Sequence, residues 1–254
     1  MGSTLKSASG ELVKVHSQVS KEEGEFLQKL ILELKPKVSV EVGLAFGISS
    51  LFICEALTQV QAERHVVIDP SQSDAWKGIG LSNLKEAGYE KLVDFKEMSS
   101  HLALPQLEAD GLKIDFAFID GWHTFDYKLL DFFYIDRLLK VGGVVVFDDL
   151  LYPSVHRVCR YIITNRAYRV VDNSSSLKQH KSWSKAQTLL KTPVISKYLK
   201  RSTYLKRIAK PEVIEPDDKL GLPAGNYIAF MKERDDILGD GSNGTRRWDF
   251  HNEF

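Results

Sequence analysis

The chain has 254 residues, 43% of them hydrophobic, and 34 lysine and arginine residues balance 34 aspartate and glutamate residues. This length allows one large α/β domain or two small ones, and the neutral balance excludes a global field that would attract nucleic acid or an acidic membrane. Cys54 and Cys159 give no zinc or disulfide pattern, and no apolar run is long enough to span a bilayer. We therefore expect a cytoplasmic protein with neither nucleic acid nor membrane as a partner.

Helical and strand patterns alternate along the first 150 residues. Ser20 and Glu23 form a capping box before an amphipathic helix that ends at Pro36. A short β-branched strand, VSVEVG, then leads through a glycine turn into the helical ISSLFICEAL. The same alternation continues through the strand HVVID, a helix near Asp74 to Ala87, the strands LVDFKEM and IDFAFID, a helix near Phe125 to Leu139, and the strand GGVVVFDD.

This order predicts a mainly parallel sheet in a doubly wound α/β fold. The strands are too apolar to face water on either side, so helices should cover both faces of the sheet. Ligands of such folds bind beyond the carboxyl ends of the strands. The polar residues expected at those ends are Glu41 to Gly47, Asp69, Ser99, Asp120 and Asp148.

After Asp149, the pattern is less regular. SVHRVCRYIITN is typical of a helix, and YRVVD and NYIAFMKE are typical of strands. Between these two strands, residues 173 to 211 contain no acidic residue and many lysines and arginines. We interpret residues 173–225 as a basic insertion or lid. Together with the aromatic C-terminal tail, it could also serve a homodimer interface.

Glycines and an aspartate indicate a nucleoside site. Gly43 and Gly47 lie between a strand and a helix, where the helix N-terminal amides suit a carboxylate or a phosphate. Asp69 ends the next strand, at about the distance where nucleoside-binding folds place an acid on ribose hydroxyls. The third glycine of a dinucleotide fingerprint is missing, which argues against NAD. A nucleoside with a compact charged end fits better.

Three aspartates end two strands that should be adjacent. Asp120 closes FIDGWH, and Asp148 with Asp149 closes VVVFDD. Carboxylates this close repel one another, so a bound divalent cation is the simplest explanation, and an oxygen-only set favours magnesium over calcium or manganese. His123 could accept a hydroxyl proton at neutral pH.

Together, these motifs resemble class I S-adenosylmethionine (SAM) methyltransferases, and within them the catechol O-methyltransferase type, over roughly residues 15 to 150. The resemblance implies a Rossmann-like sheet whose last strand is antiparallel, and a metal held by Asp120, Asp148 and Asp149. It also implies that Asp120 contributes to the SAM site. The other cofactor-binding residues that it implies are Val19 and Ser20 at the amino-acid end of SAM, Glu41, Gly43, Gly47 and Ser49 at the methionine part, Asp69 at the ribose, and Ser99, Ser100 and Trp122 at the adenine. Core packing is the alternative role for Trp122.

Two positions depart from the family pattern. Asp149 stands where the family commonly has asparagine, and His123 stands where it has a lysine as general base. The extra negative charge should strengthen cation binding. We therefore expect His123 and Asp120 to be catalytic.

The resulting hypothesis is a single methyltransferase domain over residues 1–254, with a SAM-binding core at 15–150. It transfers a methyl group to a hydroxyl oxygen of a small molecule with the help of a divalent cation, magnesium. The alternatives are a metal-independent methyltransferase acting on nitrogen or carboxylate, an enzyme in which His123 works without metal, and a non-catalytic nucleotide-binding or NAD-binding protein of the same fold. Membrane or nucleic-acid association through residues 178 to 210 is a further alternative.

Overall fold

The computed structural model describes residues 4–6, 12–14, 16, 18–173, 216–223 and 225–235. Within these residues there are nine strands and seven helices. In chain order they are β1 (Thr4–Lys6), β2 (Leu12–Lys14), α1 (Lys21–Leu34), β3 (Val38–Val42), α2 (Ile48–Gln59), β4 (Arg64–Ile68), α3 (Ile79–Glu86), β5 (Val93–Lys96), α4 (Ser100–Ala109), β6 (Ile114–Ile119), α5 (Phe125–Leu138), β7 (Leu139–Phe147), α6 (Pro153–Asn165), β8 (Tyr168–Asn173), α7 (Asp217–Leu220) and β9 (Ile228–Lys232).

Seven strands form one sheet in the order β5-β4-β3-β6-β7-β9-β8, and β1 and β2 form a separate antiparallel pair. Neighbouring strands from β5 to β7 are parallel, whereas β9 runs antiparallel to both β7 and β8. The predicted doubly wound Rossmann-like sheet with an antiparallel last strand is therefore confirmed. The strand order reverses between β3 and β6, which is where open α/β sheets form their ligand crevice.

Side-chain alternation along the strands builds a core on each face of the sheet. In β6, Phe116 and Phe118 pack with residues of α1 and α2, such as Leu27 and Ile53. The intervening Ala117 and Ile119 pack on the opposite face with residues of α4, α5 and α6, among them Leu104, Phe132 and Val158. Because successive side chains of a strand point to opposite faces, an all-apolar strand requires helices on both sides.

One predicted helix begins later than expected. The helix expected near Asp74 starts only at Ile79, and turns occupy the residues before it. Lys77 and Gly78 have φ values of 52° and 69°, in the left-handed region that interrupts a right-handed helix. These turns bring the Gln72 amide within 2.7 Å of the Ala45 carbonyl oxygen, so the segment braces the loop after β3.

The predicted insertion falls between β8 and β9, but its residues 174–215 and 224 lie outside the described part of the chain, as does the C-terminal tail from 236. The end of the segment is described as α7, whose Asp217 pairs with Arg160 and His156 of α6 at 2.8 and 3.2 Å. The division into one domain with a lid stays a prediction. None of the helices described here is both long and apolar enough to cross a membrane.

Candidate active site

The loop between β3 and α2 forms one wall of a cavity at the carboxyl ends of the strands. Gly43 has a φ of 96°, and a Cβ atom there would collide with the carbonyl oxygen of Asp120, so only glycine allows the loop to meet the end of β6. Gly47, with a φ of 77°, caps α2. The cavity is lined by Gln18, Val19, Gly43, Leu44, Ala45, Phe46, Ile48, Ser49 and Asp120.

Asp69 holds this loop in place. Its Oδ2 atom accepts hydrogen bonds from the backbone N–H groups of Leu44 and Ala45, both at 2.9 Å, and its Oδ1 atom accepts one from Ser71 at 2.8 Å. A carboxylate offers about four acceptor positions, so three bonds leave room for one more donor. Asp69 is 4% exposed and, like Glu41, does not line the cavity, so its binding of a ribose hydroxyl stays a prediction.

Glu41 differs from its expected role. Its carboxylate is completely buried and accepts hydrogen bonds from Ser49 at 2.5 Å, from Ser50, and from Nε2 of His65 at 3.0 Å. It does not line the cavity. Direct contact with the methionine part of SAM is thus not supported by its position, because the side chain points into the protein. Glu41 instead fixes Ser49, which does line the cavity.

Val19 and Ser20 lie at the start of α1. Val19 is buried and lines the cavity, whereas the Ser20 side chain accepts a hydrogen bond from the Glu23 backbone N–H at 3.1 Å and caps the helix. This bond is one half of the predicted capping box, whereas the Glu23 side chain, which would form the other half, bonds to Asp148. Binding of the amino-acid end of SAM by the backbone of these two residues stays a prediction.

The expected adenine-side residues lie around α4 and the start of α5. Ser99 is the residue before α4, and Ser100 is buried. Burial raises the pKa of Asp131 to about 6, and a hydrogen bond from Ser100 partly opposes that rise. Trp122 is 66% exposed, with its ring 6.4 Å from the ring of Tyr127. The core-packing alternative for Trp122 is therefore wrong, and the indole face is open to a ligand.

Asp120, His123 and Asp149 converge beside the cavity. One ligand atom from each lies within 4.8 Å of the others. Nε2 of His123 is 3.2 Å from Oδ2 of Asp149, and its ring stacks on Tyr152 with a centroid distance of 5.0 Å. Asp120 belongs both to this cluster and to the cavity wall.

Asp148 does not join this cluster, contrary to the expected metal set. Its Oδ1 atom accepts hydrogen bonds from the Asp149 N–H at 2.6 Å and from the Asn226 amide at 2.7 Å, and its carboxyl group is also bonded to Glu23. Both aspartates lie beyond the end of β7, and Asp149 has a φ of 61°, in the left-handed region, so strand alternation does not set the directions of their side chains. His123, and not Asp148, is the third member of the cluster with Asp120 and Asp149.

The carboxyl groups of this edge strongly influence one another. Burial, together with Asp148 and Asp149, raises the pKa of Asp120 well above its ordinary value, although Lys128 opposes the rise. Burial and then Asp149 raise the pKa of Asp148 to about 6. Burial, followed by Asp148, raises the pKa of Glu23 to about 10. Unpaired buried negative charge is costly, so the folded chain favours a proton or a cation here.

Sequence reasoning missed three residues of this edge as site residues. Glu23 was identified only as part of a helix cap, yet its side chain reaches Asp148. Lys128 is completely buried, with its Nζ atom 3.0 Å from the carbonyl oxygen of Ile119, and it places a positive charge behind the aspartates. Asn226 comes from the segment before β9 and no motif marks it. A lysine four residues into a helix with otherwise apolar neighbours was the one available signal.

The cluster fits a divalent cation by its donor chemistry. Two carboxylates and an imidazole are common ligands of divalent metals. Burial lowers the pKa of His123, Asp149 opposes this, and Lys128 adds to it. The imidazole therefore favours its neutral form, whose nitrogen lone pair can bind a metal ion or accept a proton. Its Nδ1 atom is buried and has no hydrogen-bond partner within the described part of the chain.

Comparisons with known proteins agree with the geometry. Residues 40–150 match the model of a methyltransferase domain family. Over 139 residues the chain is 32% identical to an Arabidopsis thaliana protein named as a caffeoyl-CoA O-methyltransferase, covering 53% of this chain and 56% of that protein. A caffeoyl-CoA O-methyltransferase of Stellaria longipes is 30% identical over 136 residues, covering 51% and 52%. The chain therefore spans about half the length of the curated relatives it matches.

Solved structures share the fold. An O-methyltransferase of Bacillus cereus in complex with SAH superposes with a TM-score of 0.55 at 21% identity, covering 62% of this chain and 76% of the other. TomG, an O-methyltransferase of Streptomyces achromogenes in complex with SAM, gives a TM-score of 0.54 at 25% identity, covering 61% and 74%. These likenesses confirm the resemblance to class I SAM-dependent O-methyltransferases that the motifs indicated, and residues 40–150, which match the methyltransferase domain model, lie on this Rossmann-like fold.

Proposed function

We propose that this chain is a SAM-dependent methyltransferase that transfers a methyl group to a hydroxyl oxygen of a small molecule, with the help of a divalent cation. The observation that carries the proposal is that Asp120 belongs to two features at once. It lines the cavity next to the glycine loop, and it belongs to the cluster with His123 and Asp149. A methyl donor in the cavity and an acceptor at the cluster would therefore be neighbours. The names of the O-methyltransferase relatives support the same reaction.

The cavity suits the amino-acid end of SAM. Its wall includes backbone of Gly43 and the first residues of α2, where unpaired N–H groups and the helix dipole favour a carboxylate. Asp69 retains an acceptor position for a ribose hydroxyl, and the exposed face of Trp122 is available to the adenine. Ser99 and Ser100 begin the helix expected along the adenine.

At the cluster, the chain must hold the acceptor oxygen and remove its proton. SAM, when bound, supplies a methyl group on a cationic sulfur that needs no further activation, so alignment provides most of the rate. A divalent cation, when bound, lowers the pKa of the acceptor hydroxyl. In the cation-free protein, His123 is the residue placed to accept the proton, because its imidazole is neutral and oriented by Asp149 at 3.2 Å.

Calorimetry with SAM and with NAD tests the cofactor. We expect SAM and its demethylated product to bind the purified chain and NAD not to bind. The Gly43→Ala variant should lose SAM binding, because its Cβ atom would displace the loop from Asp120. Binding of NAD without SAM would overturn the proposal and favour a different nucleotide-binding function on the same fold.

Transfer of a radiolabelled methyl group to panels of phenols, sugars, amines and carboxylic acids tests the acceptor atom. We expect labelling of hydroxyl compounds, inhibition by EDTA, and a loss of about 100-fold or more in His123→Ala, within the range for a proton-transfer residue. His156→Ala is the matched control, since His156 pairs with Asp217 away from the cluster. Labelling of amines alone, with full activity in EDTA, would favour the metal-independent alternative.

A further inference from the structure

The aspartate and histidine cluster also bears on the identity of the cation. We propose that His123 is a ligand of the cation, together with Asp120 and Asp149, and that the site therefore selects a transition-metal ion such as Mn²⁺, Fe²⁺ or Co²⁺ over Mg²⁺. This inference rests on the proposed function, because that function places a cation at this edge of the sheet. It changes the expected oxygen-only set of Asp120, Asp148 and Asp149 into a set of two oxygens and one nitrogen.

The spacing of the three side chains suits a common ion. Bonds of about 2.0–2.2 Å from a metal to nitrogen or oxygen place neighbouring ligand atoms about 3–3.5 Å apart. The contact between His123 Nε2 and Asp149 Oδ2 is 3.2 Å, and Asp120 offers an oxygen within 4.8 Å of both residues' ligand atoms.

The imidazole of His123 has an unsatisfied lone pair in either neutral tautomer. If Nε2 carries the proton and donates to Asp149, the lone pair lies on Nδ1, which is buried and finds no hydrogen-bond partner in the residues that the structure describes. If Nδ1 carries the proton, the lone pair of Nε2 faces a carboxylate oxygen at 3.2 Å, which is repulsive. A cation bound to Nε2 takes up the lone pair of the second tautomer, in which Nδ1 carries the proton.

Asp148 lies outside the cluster in this arrangement. Its carboxyl group already has contacts with the Asp149 N–H, with Asn226 and with Glu23. An ion that bound it would compete with these contacts to α1 and to the segment before β9. His123, in contrast, already contacts Asp149.

The donor set determines which ion fits best. Mg²⁺ requires near-octahedral oxygen ligands, whereas imidazole nitrogen suits the later first-row divalent ions. Asp149, which stands where the family has asparagine, adds negative charge but does not favour one divalent ion over another. A histidine ligand does change which divalent ion is preferred. With its nitrogen on the ion, His123 holds the ion and no longer serves as the general base that the cation-free protein would use.

Metal binding measured directly tests this inference without an activity assay. Chelator-treated protein is titrated calorimetrically with MgCl₂, MnCl₂ and CoCl₂, and the visible absorption of the Co²⁺ form is recorded. We expect Co²⁺ and Mn²⁺ to bind at least about tenfold more tightly than Mg²⁺, with a Co²⁺ spectrum typical of mixed nitrogen and oxygen ligands.

His123→Ala and His123→Asn should weaken Co²⁺ binding by about 10- to 100-fold and shift its spectrum, with less than about threefold change for Mg²⁺. His156→Ala is the matched control and should leave both unchanged. Equal Co²⁺ affinity and an unchanged spectrum in a folded His123 variant would overturn the inference and leave His123 as the base of the proposed function. Tighter binding of Mg²⁺ than of Co²⁺ to the unmodified chain would overturn it as well. SAM binding, measured on the same samples, reports separately on the proposed function.

Discussion

At the level of single residues, the acidic edge of the sheet contains two different carboxyl environments. Asp120 and Asp149 share a cluster with a histidine, whereas Asp148 and Glu23 bond to each other in the interior. Glu23 is 2% exposed and its Oε1 atom has no hydrogen-bond partner among the described residues. Two buried carboxyl groups this close cannot both ionise cheaply, so one of them retains its proton.

This pair makes stability depend on pH through Glu23. Its pKa rises from an ordinary 4.5 to about 10 on folding, mainly because of burial and then Asp148. Between these two values the folded state holds a proton that the unfolded state releases, so stability falls as pH rises. Replacing Glu23 by glutamine keeps a donor for Asp148 and removes the titration.

We expect Glu23→Gln to unfold at a higher temperature than the unmodified chain at pH 8.5, with the advantage shrinking towards pH 5.5, when both are melted in EDTA. Glu25→Gln is the control on the same helix, because the Glu25 side chain is 57% exposed and pairs with Lys21 at the surface. A constant difference in melting temperature across this pH range would show that Glu23 is ionised in the folded protein.

At the level of secondary-structure elements, α1 shows that helix propensity and packing can oppose each other. The helix begins after the Ser20 cap and packs on α2, where Gly24 faces the ring of Phe52. A Cβ atom at position 24 would lie 2.5 Å from two carbons of that ring. Glycine inside a helix costs about 1 kcal/mol relative to alanine, so its presence here reflects the close approach of the two helices.

We therefore expect Gly24→Ala to destabilise the chain by about 1–3 kcal/mol, the usual cost of overpacking, despite its better helix propensity. Urea denaturation followed by circular dichroism measures the change. Adding Phe52→Val should recover part of the loss, because the smaller side chain makes room for the methyl group. Equal losses from the single and double variants would mean that the clash with Phe52 is not the cause.

At the level of the whole molecule, a buried ionic network joins the antiparallel strands to the parallel part of the sheet. Asp136 of α5 accepts hydrogen bonds from Arg166 at 2.5 Å and from the Tyr168 hydroxyl at 2.6 Å. Lys232 of β9 donates to the carbonyl oxygens of Asp136 at 2.7 Å and of Leu139 at 3.0 Å. One carboxylate thus connects α5, β8 and β9.

Removing the Asp136 carboxylate should strongly destabilise the folded chain. We expect Asp136→Ala to cost about 3–5 kcal/mol, since it removes the buried carboxylate that pairs with Arg166, whereas Lys232 keeps its ion pair with Asp235 at 2.7 Å. Glu90→Ala is the comparison at an exposed pair, where the partners Lys85 and Glu90 are 70% and 68% exposed, and it should cost less than about 1 kcal/mol. Similar losses in urea denaturation for the two variants would contradict a buried network.

The sequence by itself determined the order of the central strands and helices, because each segment carries its own periodicity and each strand is apolar on both sides. It also determined the ends of strands at which Asp69, Asp120 and Asp149 lie, since parallel strands end at one edge. The glycine loop was predictable for the same local reason: Gly43 and Gly47 both adopt positive φ values. These features depend on neighbours in the chain.

Only the tertiary structure decided which carboxylates meet. Asp148 and Asp149 are adjacent in the chain but face different partners, because Asp149 turns into the left-handed region after the end of β7 and because Glu23 and Asn226 come from distant segments. Burial of Glu41 with His65, the exposure of Trp122, and the contact of His123 with Asp149 likewise depend on how the elements pack. Periodicity specifies the direction of a side chain relative to its own strand, whereas its partners are fixed by residues far away in sequence.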